Sequence, residues 1–133
     1  MHFSLIDRVV ESSPERLVAV RALSSGEEYL RDHFEGFPVM PGVLMVEAMV
    51  QACQRLLGDR GHDVWVLASV RQVRFASLVR PGQVLRVEVV LRSLDAELGE
   101  FDGSGVVLES DEQPRQAVSA RLTLRPPRVD GAG

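Results

Sequence analysis

"HFEGFPVMPGVLMVEAMVQ", residues 33–51, decides how the rest of this 133-residue chain must be arranged. Pro41 suits the first turn of a helix, where its missing N–H costs nothing. Met40, just before it, is pushed towards an extended backbone. Helix-favouring residues then continue to Leu57, with Gly58 as the expected stop. The predicted helix, about residues 41–57, is about 24 Å long at the α-helical rise. Val43, Leu44, Met45, Val46, Ala48, Met49, Val50, Ala52, Cys53, Leu56 and Leu57 cover nearly its whole circumference. A helix that is apolar all round is expected to be buried all round.

Most of the remaining chain reads as strands that would do the burying. In "QVLRVEVVLRSL", Leu85, Val87, Val89 and Leu91 alternate with Arg86, Glu88 and Arg92, a period of two. "AVSARLTLR" repeats this, with Val118, Ala120, Leu122 and Leu124 inward and Ser119, Arg121, Thr123 and Arg125 outward. "RLVAVRAL" and "VWVLASVRQVRF" alternate more weakly, and "GEFDGSGVVLES" is softened by Gly103 and Gly105. "RPGQ", "SLDAELGE" and "SDEQP" carry turn residues between them. Five or so antiparallel strands and one long helix predict an α+β domain, a curved sheet wrapped around a central helix. One domain over residues 1–126 is expected, with 127–133, "PRVDGAG", as a loose tail. A second copy would help cover helix surface that the sheet leaves open.

Composition narrows the function. The net charge of −4 disfavours direct nucleic-acid binding, which needs a basic face. A single cysteine, Cys53, forms no internal disulfide, and the three histidines show no metal-ligand spacing, so no metal is expected. The N-terminus has no signal-peptide pattern, and the longest apolar stretch is too short and too interrupted to span a bilayer. A soluble cytoplasmic domain is the expectation.

The chemistry centres on one carboxylate. Ionised, Glu47 is costly in so apolar a helix, so it is either paired or holds its proton through a raised pKa. Gln51 lies one turn on and Gln54 or Arg55 about two, so a narrow polar stripe could instead lead it to solvent or to a salt bridge. His33, beside Asp32, reads as an ordinary loop histidine on its own. Its context gives it weight, because Gly36, Pro38, Pro41 and Gly42 form a stiff loop into the helix. Gly42 stands where backbone N–H groups have no intrahelical partner and the dipole favours negative charge. A base near pKa 7, a proton-holding acid and an oxyanion donor together suit proton abstraction beside a thioester carbonyl with loss of a β-hydroxyl. Composition and spacing leave this as one of several chemistries.

The same stretch resembles the signature of the FabZ-type 3-hydroxyacyl-[acyl-carrier-protein] dehydratases, HFPGxPxxPGVLxxEAMAQ. The resemblance covers nearly the whole chain. "FSLIDRVVE" is similar to the opening strand and turn, "EEYLRDHF" to the approach to the histidine, and "VRQVRFASLVRPGQ" to the later segment ending in Pro-Gly. It implies the hot-dog fold and a homodimer joined edge to edge, either alone or assembled further as a trimer of dimers. It also implies two sites at the dimer interface, each combining His33 of one subunit with Glu47 of the other. Gly42 would give a backbone donor to the thioester carbonyl, Val39 main-chain contacts, and Gln51 an orienting contact to Glu47. Phe34, Met40 and Phe75 would be walls of the acyl tunnel, or else plain core. The implied reaction is reversible dehydration of (3R)-3-hydroxyacyl thioesters to trans-2-enoyl thioesters in fatty acid or related acyl-chain synthesis. No metal or redox cofactor is implied, the substrate being carried on the phosphopantetheine arm of an acyl carrier protein. Arg71, Arg74 and Arg80 would form the docking patch for that acidic partner, or else a solvated strand face.

The chain departs from the family pattern at several positions. Glu35 stands where proline is common, Phe37 where a polar residue is frequent, Ala76 and Ser77 where basic residues are frequent, and Gln83 in place of a frequent Asp. None removes the His33–Glu47 pair. A hot-dog acyl thioesterase and a non-catalytic acyl-binding subunit are the alternatives.

Overall fold

The computed structural model describes residues 4–23, 42–109 and 113–127. His33, Phe34, Glu35, Phe37, Val39 and Met40 lie outside the described residues, as does the expected tail from residue 128 onward. The described elements run β1 (Arg8–Ser12), β2 (Arg16–Ala22), α1 (Gly42–Asp59), β3 (Val66–Phe75), β4 (Val84–Leu94), β5 (Gly99–Leu108) and β6 (Arg115–Arg125). The six strands form one sheet in the order β1-β2-β4-β5-β6-β3, with every neighbouring pair antiparallel.

Helix α1 touches β2, β4, β5, β6 and β3. Five strands at about 4.8 Å spacing are wider than a helix of about 10 Å, so the sheet must curve around it. This is the hot-dog architecture. Alternation is clean on β4 and weaker on β6, where Ala117 and Thr123 are buried as well. Leu85, Val87 and Val89 of β4 and Val118, Ala120, Leu122 and Leu124 of β6 are buried. On β5 the inward positions are Gly99, Phe101, Gly103, Gly105 and Val107. The glycines there make room. A Cβ on Gly103 would lie 2.6 Å from Met49 Sδ and 2.9 Å from Leu122 Cδ1, so α1 settles onto bare backbone.

The helix differs from its expected form in two respects. It does not stop at Gly58. Gly61 takes the left-handed conformation at φ 93°, Gly61 N–H donates to Gly58 O at 3.0 Å and His62 N–H to Leu57 O at 3.0 Å. That pair is a Schellman cap with Gly61 beyond the last turn. Nor is the helix buried all round. Met45, Ala48, Met49, Val50, Ala52, Cys53, Leu56 and Leu57 are buried, whereas Val43 is 72% exposed and Leu44, Val46, Glu47, Gln51 and Gln54 are half-buried. The sheet covers one side of the helix and leaves the polar stripe on the other.

The turn "RPGQ" forms as its residues require. Gln83 N–H donates to Arg80 O at 3.0 Å, with Gly82 at φ 90° after Pro81, a type II turn. The buried Gln83 then accepts from Arg80 N–H through its Oε1 at 2.8 Å and donates to Glu109 at 3.1 Å. The second of these contacts needs an amide, because the carboxylate of the Asp frequent in the family pattern could not donate to Glu109.

Candidate active site

Glu47 sits on the open face of α1, half-buried. Its neighbours on that face are committed elsewhere. Gln51 Oε1 accepts the Leu5 N–H at 2.7 Å, pinning the N-terminal segment to the helix. Gln54 Nε2 donates to Trp65 O at 2.9 Å, and Arg55 pairs with Asp59 at 3.3 Å. Among the described residues Glu47 has no hydrogen-bond or ion-pair partner. The polar stripe therefore holds the helix in place, and among the described residues it leads Glu47 into no salt bridge. Gln51 stands one turn from it, already anchored through its carbonyl.

Gly42 is the first helical residue, and its lack of a side chain is used. A Cβ there would lie 2.8 Å from Cε1 and 2.9 Å from Cζ of Phe75, so the ring rests against the helix start. Together they open an apolar pocket of about 420 Å³, lined by Gly42, Met45, Phe75, Ala76, Ser77 and Leu78. Ala76 and Ser77 are fixed there by the sheet, both N–H groups donating to Ala117 O, at 2.8 and 3.5 Å. Of these lining residues, Met45 and Leu78 carried no signal in the sequence beyond being apolar. Ser77 stood out only as a departure from the family pattern.

Glu47 is not among the lining residues. Five residues along an α-helix turn through about 500°, so its side chain leaves the axis roughly 140° around from Gly42. One chain therefore places its carboxyl away from the pocket at its own helix start, where the Gly42 N–H points along the axis.

The three arginines fall into two settings. Arg71 and Arg74 pair in register with Arg121 and Ser119 of β6 and share the outer face of the sheet. Arg71 lies 3.8 Å from Glu100, in a surface network where Asp102 holds Arg92 at 3.5 Å and Arg121 at 3.2 Å. Arg74 is exposed, with no partner among the described residues. Arg80 is exposed at the turn into β4. Buried Cys53, facing the sheet, has its thiol pushed well up by desolvation. Among the described residues no group of His, Cys, Asp or Glu is arranged to hold a metal ion, and no helix is long and apolar enough to cross a membrane.

The model of a FabA-like domain matches residues 1–111. A 3-hydroxyacyl-[acyl-carrier-protein] dehydratase FabZ of Koribacter versatilis is 34% identical over 137 residues, covering 96% of this chain and 85% of its own. The protein of the same name from Rhizorhabdus wittichii is 35% identical over 130 residues, covering 92% and 81%. Among solved structures, a chain of the dehydratase heterocomplex ApeI:P from Xenorhabdus doucetiae superposes with a TM-score of 0.71 at 21% identity, over 95% of this chain and 84% of that one. The E. coli PaaI protein does so with a TM-score of 0.68 at 12% identity, over 88% and 80%. At such identities the two structures speak for the fold alone.

Proposed function

The chain belongs to the FabZ-type 3-hydroxyacyl-[acyl-carrier-protein] dehydratases of the FabA-like family, and on that premise we propose how this hydro-lyase works. It removes water from (3R)-3-hydroxyacyl thioesters to give trans-2-enoyl thioesters, in fatty acid or related acyl-chain synthesis in the cytoplasm. His33 takes the proton next to the thioester carbonyl. The N–H of Gly42 steadies the negative charge that builds on the carbonyl oxygen. Glu47 gives its proton to the departing hydroxyl, and the observation that carries the reading is that none of the described residues binds its carboxyl. Gln51 holds the turn from which Glu47 projects. Phe34, Val39, Met40 and Phe75 border the acyl group. Proton transfers suffice for this reaction, with no metal or redox cofactor, and the phosphopantetheine arm of the carrier brings the substrate.

The acid comes from a second copy of the chain. Glu47 does not line the pocket at Gly42 and Phe75, so a carboxyl meeting the thioester there is best supplied by another subunit. The edge strand β3 supports the homodimer. It is ten residues long, and Leu67, Val70, Val73 and Phe75 on it are each more than a third exposed. An edge so apolar is a template for pairing with another chain.

The test is an assay with (3R)-3-hydroxyacyl and trans-2-enoyl thioesters that follows enoyl absorbance and free thiol separately. Interconversion is expected; thiol release would instead identify a thioesterase, and no reaction a binding subunit. His33→Ala and Glu47→Gln are each expected to abolish interconversion. Refolding the two variants together restores one complete site in each mixed dimer, or about a quarter of wild-type activity. Failure to complement would remove the shared site. The acyl carrier is read as docking on Arg71, Arg74 and Arg80. Charge reversal there should weaken use of carrier-bound substrate and spare short pantetheine thioesters; equal losses would rule the docking out.

A further inference from the structure

Strand β3 reads "VLASVRQVRF", and no strict alternation along it sorts apolar from charged. A period of two would put either Val66, Ala68, Val70, Gln72 and Arg74 or Leu67, Ser69, Arg71, Val73 and Phe75 on the inner face. Both choices bury an arginine. The pairing with β6 avoids this with two bulges. Leu67 lies opposite Leu124, Val70 opposite Leu122 and Phe75 opposite Val118, all inward. Ser69, Arg71 and Arg74 lie opposite Thr123, Arg121 and Ser119, all outward. The second bulge falls between Arg71 and Arg74, and inside it Gln72 holds φ 53°, the one described non-glycine residue at positive φ. Without a place for that extra residue, Phe75 would turn to the opposite face of the sheet.

We propose that Gln72 is a positioning residue: its left-handed bulge turns Phe75 inward onto Gly42 and so builds the wall of the pocket at the helix start. The functional consequence rests on the reading of that pocket as the thioester site; the geometric claim does not. Bulges beside active sites re-aim side chains in this manner, and a left-handed glutamine is held only where its surroundings demand it.

The test compares three variants by NMR and by dehydration kinetics. In the wild-type protein a cross-peak between the Phe75 ring and the Gly42 α-protons is expected. Gln72→Gly, which adopts positive φ freely, should keep the cross-peak and change kcat/KM by less than roughly twofold. Gln72→Val, whose β-branched side chain resists positive φ, should lose the cross-peak and at least about tenfold in kcat/KM, mainly through KM. Deleting Gln72 removes the extra residue while leaving Phe75 opposite Val118, so the folded deletion should retain the cross-peak. A Gln72→Val protein with the cross-peak intact, or a folded deletion without it, would overturn the proposal whatever the activity. A wild-type protein inactive towards 3-hydroxyacyl thioesters but with this pattern of cross-peaks would remove only the functional reading.

Discussion

Replacing Gly103 by alanine tests how closely helix and sheet are fitted. The added Cβ would sit 2.6 Å from Met49 Sδ and 2.9 Å from Leu122 Cδ1. Both neighbours are at most 1% exposed, so neither can swing into solvent. Overpacking costs about 1–3 kcal/mol, and two approaches below 3.0 Å against fully buried neighbours put this case in the upper half, about 2–3 kcal/mol. The alanine returns up to about 1 kcal/mol by limiting the unfolded chain. The net expectation is about 1–2 kcal/mol of lost stability. At about 4 °C per kcal/mol for a chain of this size, Tm should fall by about 4–8 °C. Urea titration at fixed protomer concentration measures it, since any assembly makes stability depend on concentration. Met49→Ala removes the atom in the way. On that background the added methyl should become neutral or favourable, a coupling of at least about 1 kcal/mol in the double-mutant cycle. A Gly103→Ala protein within about 0.5 kcal/mol of wild type, or a cycle without coupling, would refute the claim that α1 is seated through the missing side chain.

Gly42→Ala puts its methyl against the far edge of the half-exposed Phe75 ring, which can move; it should lower kcat/KM by about tenfold or more while Tm changes by no more than about 2 °C. Cys53 is buried and its thiol pushed well up by desolvation, so thiol reagents should leave it unmodified in the native protein and react fully in urea. The Asp95 carboxyl accepts the N–H groups of Glu97 at 2.7 Å and Leu98 at 2.9 Å, and these hold its pKa below the usual range. A lowered folded pKa stabilises fully above the unfolded value and fades as pH falls through the folded one. The stability lost in Asp95→Ala at pH 7 should therefore shrink below about pH 4, as urea titrations across pH would reveal.

What was legible in the sequence depended on period. Strands β4 and β6 alternate without interruption, so their inner residues could be named directly, and the long apolar run fixed the helix. Strand β3 read as weakly alternating because two bulges break its period, and a bulge is visible only once a partner strand supplies the register. The helix end was read at Gly58, where no hydrogen bond distinguishes it from Gly61 until the chain beyond turns back. Gln51 was expected from the family resemblance to orient Glu47; that its carbonyl also accepts the Leu5 N–H, 46 positions away, could not be read from the sequence. At the site, the histidine-to-glutamate motif pointed to Gly42 and Glu47, and the later segment offered Phe75 as a tunnel wall or plain core. That Glu47 faces away from the pocket at Gly42 follows from helical geometry once the helix start is fixed. Ser77 and Leu78 become pocket walls only through the return of β3 beside β6.

That separation of Glu47 from the pocket at Gly42 has an operational consequence. If catalysis needs donor and acid from separate polypeptides, specific activity is a property of the pair, and dilution should silence the enzyme before any chain loses its secondary structure. Turnover per molecule would then climb with protein concentration until association saturates, and a chain with a damaged acid would disable its companion's chemistry while keeping its own.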